Sequence, residues 1–280
     1  MQEWLNVLFE WFNNPIVQSS AAPFVAALIV AKLFSTIRLS GLAVIAAFCA
    51  TVYLVADFNF ESLTITKKII LVGMVAAAIA PLFDLLSSHT RLLRYVIMIA
   101  CASVVLWVFW PVLQRKDWME LVVYSTGVVV YIGCLAFLLD RLAQMSIRAS
   151  SAAMGLGASI GISSLLSASA LYGQLGLAVA MSGAAYLLLQ FVSNRLLPCG
   201  RTFTLPLTLL CGLIAPAAMI LAKLPWYCLP LFLLTPLVAQ MPLPGNVSLR
   251  IQTAVLFFMT FIGSSIPVLF IMHQSGDLPF

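Results

Sequence analysis

The sequence predicts an all-α integral membrane protein that crosses the bilayer about ten times as a single transmembrane domain over residues 1–280. Three observations carry this. Apolar residues make up 63% of the chain and charged residues 8%, with a mean hydropathy of +1.10, whereas a soluble domain carries about 25% charged residues. Apolar runs of bilayer length follow one another with short turns between them, leaving no room for a folded soluble domain. The basic residues stand in pairs between those runs and never form a face, so a pI near 9.0 reads as a topology signal and not as a nucleic-acid surface. The surrounding partner is membrane lipid, and no nucleic acid is expected.

The chain opens with MQEWLNVLFEWFNN, in which Trp4, Leu5, Leu8, Trp11 and Phe12 share one side of a helix. Residues 1–14 are expected to lie in the interface with their Trp rings at headgroup level. They lack the basic start and small-residue cleavage site of a signal peptide, so they are expected to be retained. The first crossing covers about residues 15–36 and carries Gln18, Ser19, Ser20 and Pro23 in its first turns, with Lys32 placed to snorkel at its far end. The second covers about 40–56. The third, about 68–87, contains Pro81 and Asp84, and the fourth, about 92–113, ends in Trp107, Phe109, Trp110 and Pro111. The fifth, about 121–139, closes at Asp140 and Arg141 and completes a first half, residues 15–140.

The sixth span, Ser150 to Gly173, is unlike the others. It is crowded with Gly, Ala and Ser where its neighbours are built from Leu, Val, Phe and Ile. Gly155, Ser159, Ser163 and Ser167 fall four residues apart on one helical face, and Gly157, Gly161, Ser164 and Ala168 line the strip beside it. Small residues mark the surface where helices approach closely in lipid, so this helix is expected at the centre of the protein, with Gly155, Gly157 and Gly161 as packing positions. A YGQLG turn is expected before the seventh span, about 174–192. The eighth, about 203–222, contains Pro206 and Pro216; a short ninth, about 226–240, contains Pro230 and Pro236; the tenth, about 251–272, is interrupted by Gly263, Ser264, Ser265 and Pro267. The second half thus spans residues 150–272.

Ten crossings put both termini on one side. Alternate loops collect Lys32, Arg38, Arg91, Arg94, Arg141, Arg148, Arg195, Arg201 and Arg250, and the opposite loops collect Lys67, Lys68, Arg115, Lys116 and Lys223. The richer set is expected in the cytoplasm, which places both termini outside a plasma membrane of the bacterial inner-membrane kind. Short echoes connect the halves: Ile79, Ala80 and Pro81 recur as Ile214, Ala215 and Pro216, and Tyr131, Ile132 and Gly133 as Phe261, Ile262 and Gly263. An odd number of spans per half makes such a five-plus-five repeat an inverted one, as in many secondary transporters.

Motifs of catalysis and metal binding are missing. The six cysteines show no CxxC, the two histidines His89 and His273 have no partner at ligand spacing, and no GxSxG, HExxH or phosphate loop occurs. No metal, no cofactor and no enzyme activity are expected. The residues that suit a solute path are Gln18, Asp84, Ser159, Ser163, Ser167, Gly263, Ser264 and Ser265, with Pro81, Pro216 and Pro267 as hinges. Asp84 is expected near the inner interface, paired with Arg91 or Arg94, and the glycine, serines and proline of the tenth span either unwind it and bare its carbonyls or form a proline kink satisfied by neighbouring helices. The reading is a secondary transporter or exporter of a small neutral or amphipathic solute. The alternative is a non-catalytic scaffold or accessory subunit of a larger membrane complex, whose small-residue face docks a partner helix; membrane protein partners or a homo-oligomer fit either reading.

Overall fold

In a computed structural model, residues 14–35, 39–55, 64–85, 91–243 and 247–275 are described, and every regular element among them is a helix. The interfacial segment expected over residues 1–14 lies almost wholly outside the described residues. A π-helical turn, Val17–Ala21, leads into α1 (Ala22–Leu33), and a 3-10 turn, Ser40–Leu42, into α2 (Ala43–Val55). There follow α3 (Ile65–Leu85), α4 (Arg91–Leu113), α5 (Trp118–Leu142), α6 (Ser146–Leu166), α7 (Ala170–Ser193) and α8 (Arg201–Leu221). The ninth apolar run is two short pieces, α9 (Cys228–Phe232) and α10 (Leu234–Ala239), and α11 is Leu249–Ser275.

Seven helices, α3 to α8 and α11, are long and apolar enough to cross a membrane, and three shorter apolar stretches lie at 17–33, 40–55 and 228–239. The burial pattern fits lipid outside and protein inside. Tyr53, Ile99, Trp118, Val123, Phe258 and Ile262 are exposed, while α8 is buried along nearly its whole length.

The centre is the pair α6 and α7, which pack more extensively than any other two elements. Their contact is backbone on backbone: a Cβ added at Gly157 would lie 2.4 Å from the amide nitrogen of Ala180, and one at Gly176 would lie 2.7 Å from the Cα of Gly161. Gly183 approaches Met154 and Ser150 in the same way. Lipid tails are as apolar as leucine, so burial gives helices little reason to associate, and van der Waals contact between close backbones supplies the attraction. Polar side chains fasten the same pair: Ser146 Oγ donates to Gln190 Oε1 at 2.8 Å, and Gln190 Nε2 donates to Ser150 Oγ at 3.2 Å.

This contact overturns one expectation. YGQLG is no turn; Gly173 and Gly176 lie inside α7, against Leu165 and Gly161, and α6 ends at Leu166. The reversal is made by Ser167, Ala168 and Ser169, with Ala168 at φ +61°. In water two nearby glycines punctuate a chain; here they let two helices touch.

A second expectation fails in the same region of physics. Spans three, eight and ten keep continuous helices through Pro81, Pro216 and Pro267, and α11 does not unwind at Gly263 to Pro267. One proline deletes one helical hydrogen bond, and in α11 the adjacent backbone is engaged by Ser264 Oγ, which donates to Phe261 O at 2.7 Å, and Ser265 Oγ, which donates to Ile262 O at 2.8 Å. The broken run is the ninth, whose two short pieces carry Pro230 and Pro236, whereas the long α8 stays continuous through both Pro206 and Pro216. Of the suggested repeat, α3 lies along α8 and α2 along α7, as a two-fold relation between halves would place them. The extensive contact of α6 with α11 has no counterpart of similar extent between α1 and α5.

Gly157→Val is expected to separate α6 from α7 and to lower the thermal unfolding midpoint in detergent sharply, because a backbone must move by more than an ångström; overpacking of this kind costs about 1–3 kcal/mol or more. Gly127, with nothing within 4 Å of an added Cβ, is the contrast. Gly127→Ala should leave the midpoint unchanged or raise it, by about 0.5–1 kcal/mol of helix preference.

Candidate functional site

Two polar regions stand out, one at an end of the bundle and one in its middle. The first gathers the start of α2, the end of α3, the start of α4, the end of α5, the starts of α6 and α8 and the end of α10. Asp84, in the last turn of α3, accepts the amide hydrogens of Arg201 at 2.7 Å and Thr202 at 2.8 Å, and the Thr202 hydroxyl also donates to it. A helix start leaves amide donors without partners and carries partial positive charge, so a carboxylate from another helix is the favourable cap. Gly200 makes room for it: its φ is +79°, and a Cβ there would fall 2.5 Å from Asp84 Oδ2. Asp140, 7% exposed, accepts from Arg94 Nε at 2.7 Å and Arg201 Nε at 3.0 Å.

The expected partnership of Asp84 with Arg94 is therefore corrected. Arg94 goes to Asp140 because Asp84 is already committed to the α8 amides. Around them, Gly200 N donates to Ala143 O at 2.8 Å, Ser40 Oγ donates to Pro198 O at 2.6 Å, Arg148 Nη1 donates to Gln240 O at 3.1 Å, and Gln240 Nε2 donates to Leu138 O at 3.1 Å. Cys199 lies in the α7–α8 connection; burial first, then the neighbouring Asp84 charge, push its thiol up, so it stays protonated and unreactive at neutral pH.

The second region lies in the apolar middle. Among the described residues the buried polar side chains are Ser, Thr and Gln, together with the hydroxyls of Tyr131, Tyr172 and Tyr186. Most serine and threonine hydroxyls return to a carbonyl of their own helix, as Ser151 does to Ile147 and Thr208 to Thr204. Five buried hydroxyls have no hydrogen-bond partner: Tyr131, Ser159, Ser163, Ser164 and Thr235. Each such group forfeits about 1–3 kcal/mol, so a cluster of them asks for an explanation. Ser159 and Ser163 are on the face of α6 that Gly155 begins, and a Cβ at Gly155 would meet Thr235 Cγ2 at 2.7 Å and Thr260 O at 3.0 Å. Thr235 in turn lies beside Gly263, whose added Cβ would sit 4.0 Å from its Cα. The face therefore looks onto the broken helix α9–α10 and onto α11.

The residues singled out in the sequence divide between these places. Ser159, Ser163, Gly263 and the buried Ser264 belong to the middle region, while Asp84 belongs to the charged end. Ser167 caps the end of α6 and donates to Ser163 O at 2.9 Å, and Ser265 is half-buried on α11. Gln18 sits in the π-helical turn, where its carbonyl accepts from Thr51 Oγ1 at 3.2 Å. Gly157 and Gly161 face α7, and Gly155 faces α10 and α11. Pro216 and Pro267 are buried and Pro81 is half-buried. No group of three His, Cys, Asp or Glu side chains able to hold a metal occurs among the described residues.

Thr235, Asp140 and Arg201 were not legible as site residues. Thr235 carries a faint signal, a hydroxyl directly before Pro236 in an apolar run; Asp140 and Arg201 look like ordinary loop charges. Comparison with family models, with curated proteins and with solved structures finds no match.

Asp140→Ala is expected to be more damaging than Arg94→Ala in thermal unfolding, because it strands Arg201, 11% exposed, without its carboxylate; breaking such a pair costs about 3–5 kcal/mol. Asp84→Asn, which keeps an acceptor for only part of the α8 cap, should fall between the two.

Proposed function

We propose that the protein is a secondary transporter or exporter of a small neutral or amphipathic solute. The observation that supports this most is the set of unpartnered buried hydroxyls where α6 meets a helix broken in mid-run: Ser159 and Ser163 on α6, and Thr235 on the broken helix itself. Discontinuous helices beside polar groups at membrane depth are what carriers use for binding, since irregular backbone in lipid is tolerated only where it lines a cavity or is buried in protein. A neutral solute fits because the polar groups there are hydroxyls; the acids Asp84 and Asp140 are engaged at the bundle's end.

The finer topology belongs to the same reading. Ten crossings with both termini outside suit the gathering of basic residues: Arg94, Arg141, Arg148 and Arg201 all belong to the end where Asp84 and Asp140 lie, while Lys68 at the start of α3 stacks on Trp107 at the far end of α4. That basic end faces the cytoplasm of a bacterial-type inner membrane by the positive-inside rule. The five-plus-five inverted repeat remains part of this proposal, as does the absence of enzyme activity. The accessory-subunit alternative keeps its support in the short loops and apolar outer surface, but the small-residue face it offered to a partner helix is occupied by α7, α10 and α11 of the same chain.

In a cysteine-free background, Ser159→Cys and Ser163→Cys in native membranes should react with a membrane-impermeant thiol reagent, from one side in one state and the other side in another. Silence at both positions from both sides, with the protein folded, would defeat the carrier reading.

A further inference from the structure

We infer that the junction of α6, α10 and α11 binds a small monovalent cation of the alkali series, held by neutral oxygens. The inference rests on the carrier reading for the ion's role, that of coupling ion, and on the geometry alone for its binding.

Three helices supply oxygens at one level. Helices α6 and α11 start together, since Ile147 and Met154 pack with Leu249 and Leu256, so they run in parallel. Gly155 of α6 touches Thr260 of α11 and Thr235 of α10. One turn further along each long helix stand Ser159 and Ser264, both buried. The Ser159 and Thr235 hydroxyls have no partner, whereas Ser264 donates its hydrogen to Phe261 O and keeps lone pairs.

Proline adds carbonyls to this set. Pro236 has no amide hydrogen to return to the Phe232 carbonyl at the α9–α10 break, and Pro267 has none for the carbonyl of Gly263, beside Thr235. Hydroxyls aimed at carbonyls would donate to them. Yet the Thr235 hydroxyl, three residues after Phe232 and on a residue that lies against Gly263, donates to no carbonyl. Neutral hydroxyl and carbonyl oxygens at one level, with hydroxyls that donate to none of their neighbours, suit a hard cation.

The charge of the ion follows from the ligands. Calcium and magnesium are held by carboxylates, and every buried polar side chain described here is neutral. Neutral hydroxyls and carbonyls replace the hydration of a singly charged ion, as the unwound helices of transporters do for sodium.

The test is a thermal unfolding series on the full purified chain in detergent, with sodium, lithium or potassium chloride replacing choline chloride at constant ionic strength. A saturable rise of the midpoint by a few degrees in an alkali cation is expected, since a ligand that binds only the folded state stabilises it by mass action. Thr235→Val and Ser159→Ala should match or exceed the parent midpoint in choline and lose the rise. Thr235→Ser should keep it, as should Ser164→Ala on the neighbouring strip. Equal midpoints in all four salts or a full rise in Thr235→Val would overturn the inference. If the rise is present while Ser159→Cys and Ser163→Cys stay unlabelled, the ion site stands and the carrier reading falls; labelling without a rise has the opposite meaning.

Discussion

The approach of α6 to α7 at backbone distance is the contact on which the rest of the molecule depends. With Gly157 and Gly161 against Gly176 and Ala180, the two axes come closer than any leucine-faced pair can. That closeness fixes what else can reach the centre. Helix α7 turns its remaining surface to α1 and α2, and α6 turns its own to α10 and α11. Each outer helix is then buried on one side and exposed to lipid on the other. Helix α8 is the exception, enclosed between α3, α5, α6 and α7.

Electrostatics divide the bundle along its length. At one end Asp84 and Asp140 bind the start of α8, and through Arg94 and Gly200 they tie it to α4 and to the α5–α6 connection. Asp84, Asp140, Arg94 and Arg201 each have a partner of opposite sign or a helix terminus there, which holds that end together. The middle has no charges and several hydroxyls left without partners. A packed interior normally removes such groups or satisfies them. Their retention on facing helices, with two prolines beside them, separates a rigid end from a middle whose bonding is incomplete.

The sequence made the membrane fold and the central place of α6 legible because both are compositional. Hydropathy counts residues, and a run of Gly, Ala and Ser among leucines has one physical use in lipid. What it concealed were matters of partner. Gly173 and Gly176 read as a turn because the rule comes from chains in water, where a bare backbone is solvated; here each glycine is matched by another 15 or so residues earlier, and only the contact explains both. Asp84 was visible as an unusual acid, but the α8 amides that claim it lie 117 residues away. Proline was read as interrupting spans three, eight and ten, yet Pro81, Pro267 and the pair Pro206 and Pro216 lie in continuous long helices, and the break came in the short ninth run with Pro230 and Pro236. Thr235 was hidden in that run.

The two regions also differ in which helices they hold. The charged end fastens α3, α4, α5 and α8, and the glycine contact fastens α6 to α7. Helices α9, α10 and α11 are joined differently: α11 packs extensively along α6, Gly155, Thr235, Thr260 and Gly263 meet at the centre of that contact, and Gln240 ties the end of α10 to Arg148 and Leu138. The attachment is mostly packing. An ion seated among Ser159, Thr235 and Ser264 would add ligands to the place where α10 and α11 are held to α6 by packing alone. Its arrival or loss would therefore act on helices joined to α6 mainly by packing, and it would do so beside the hydroxyls proposed to face the solute.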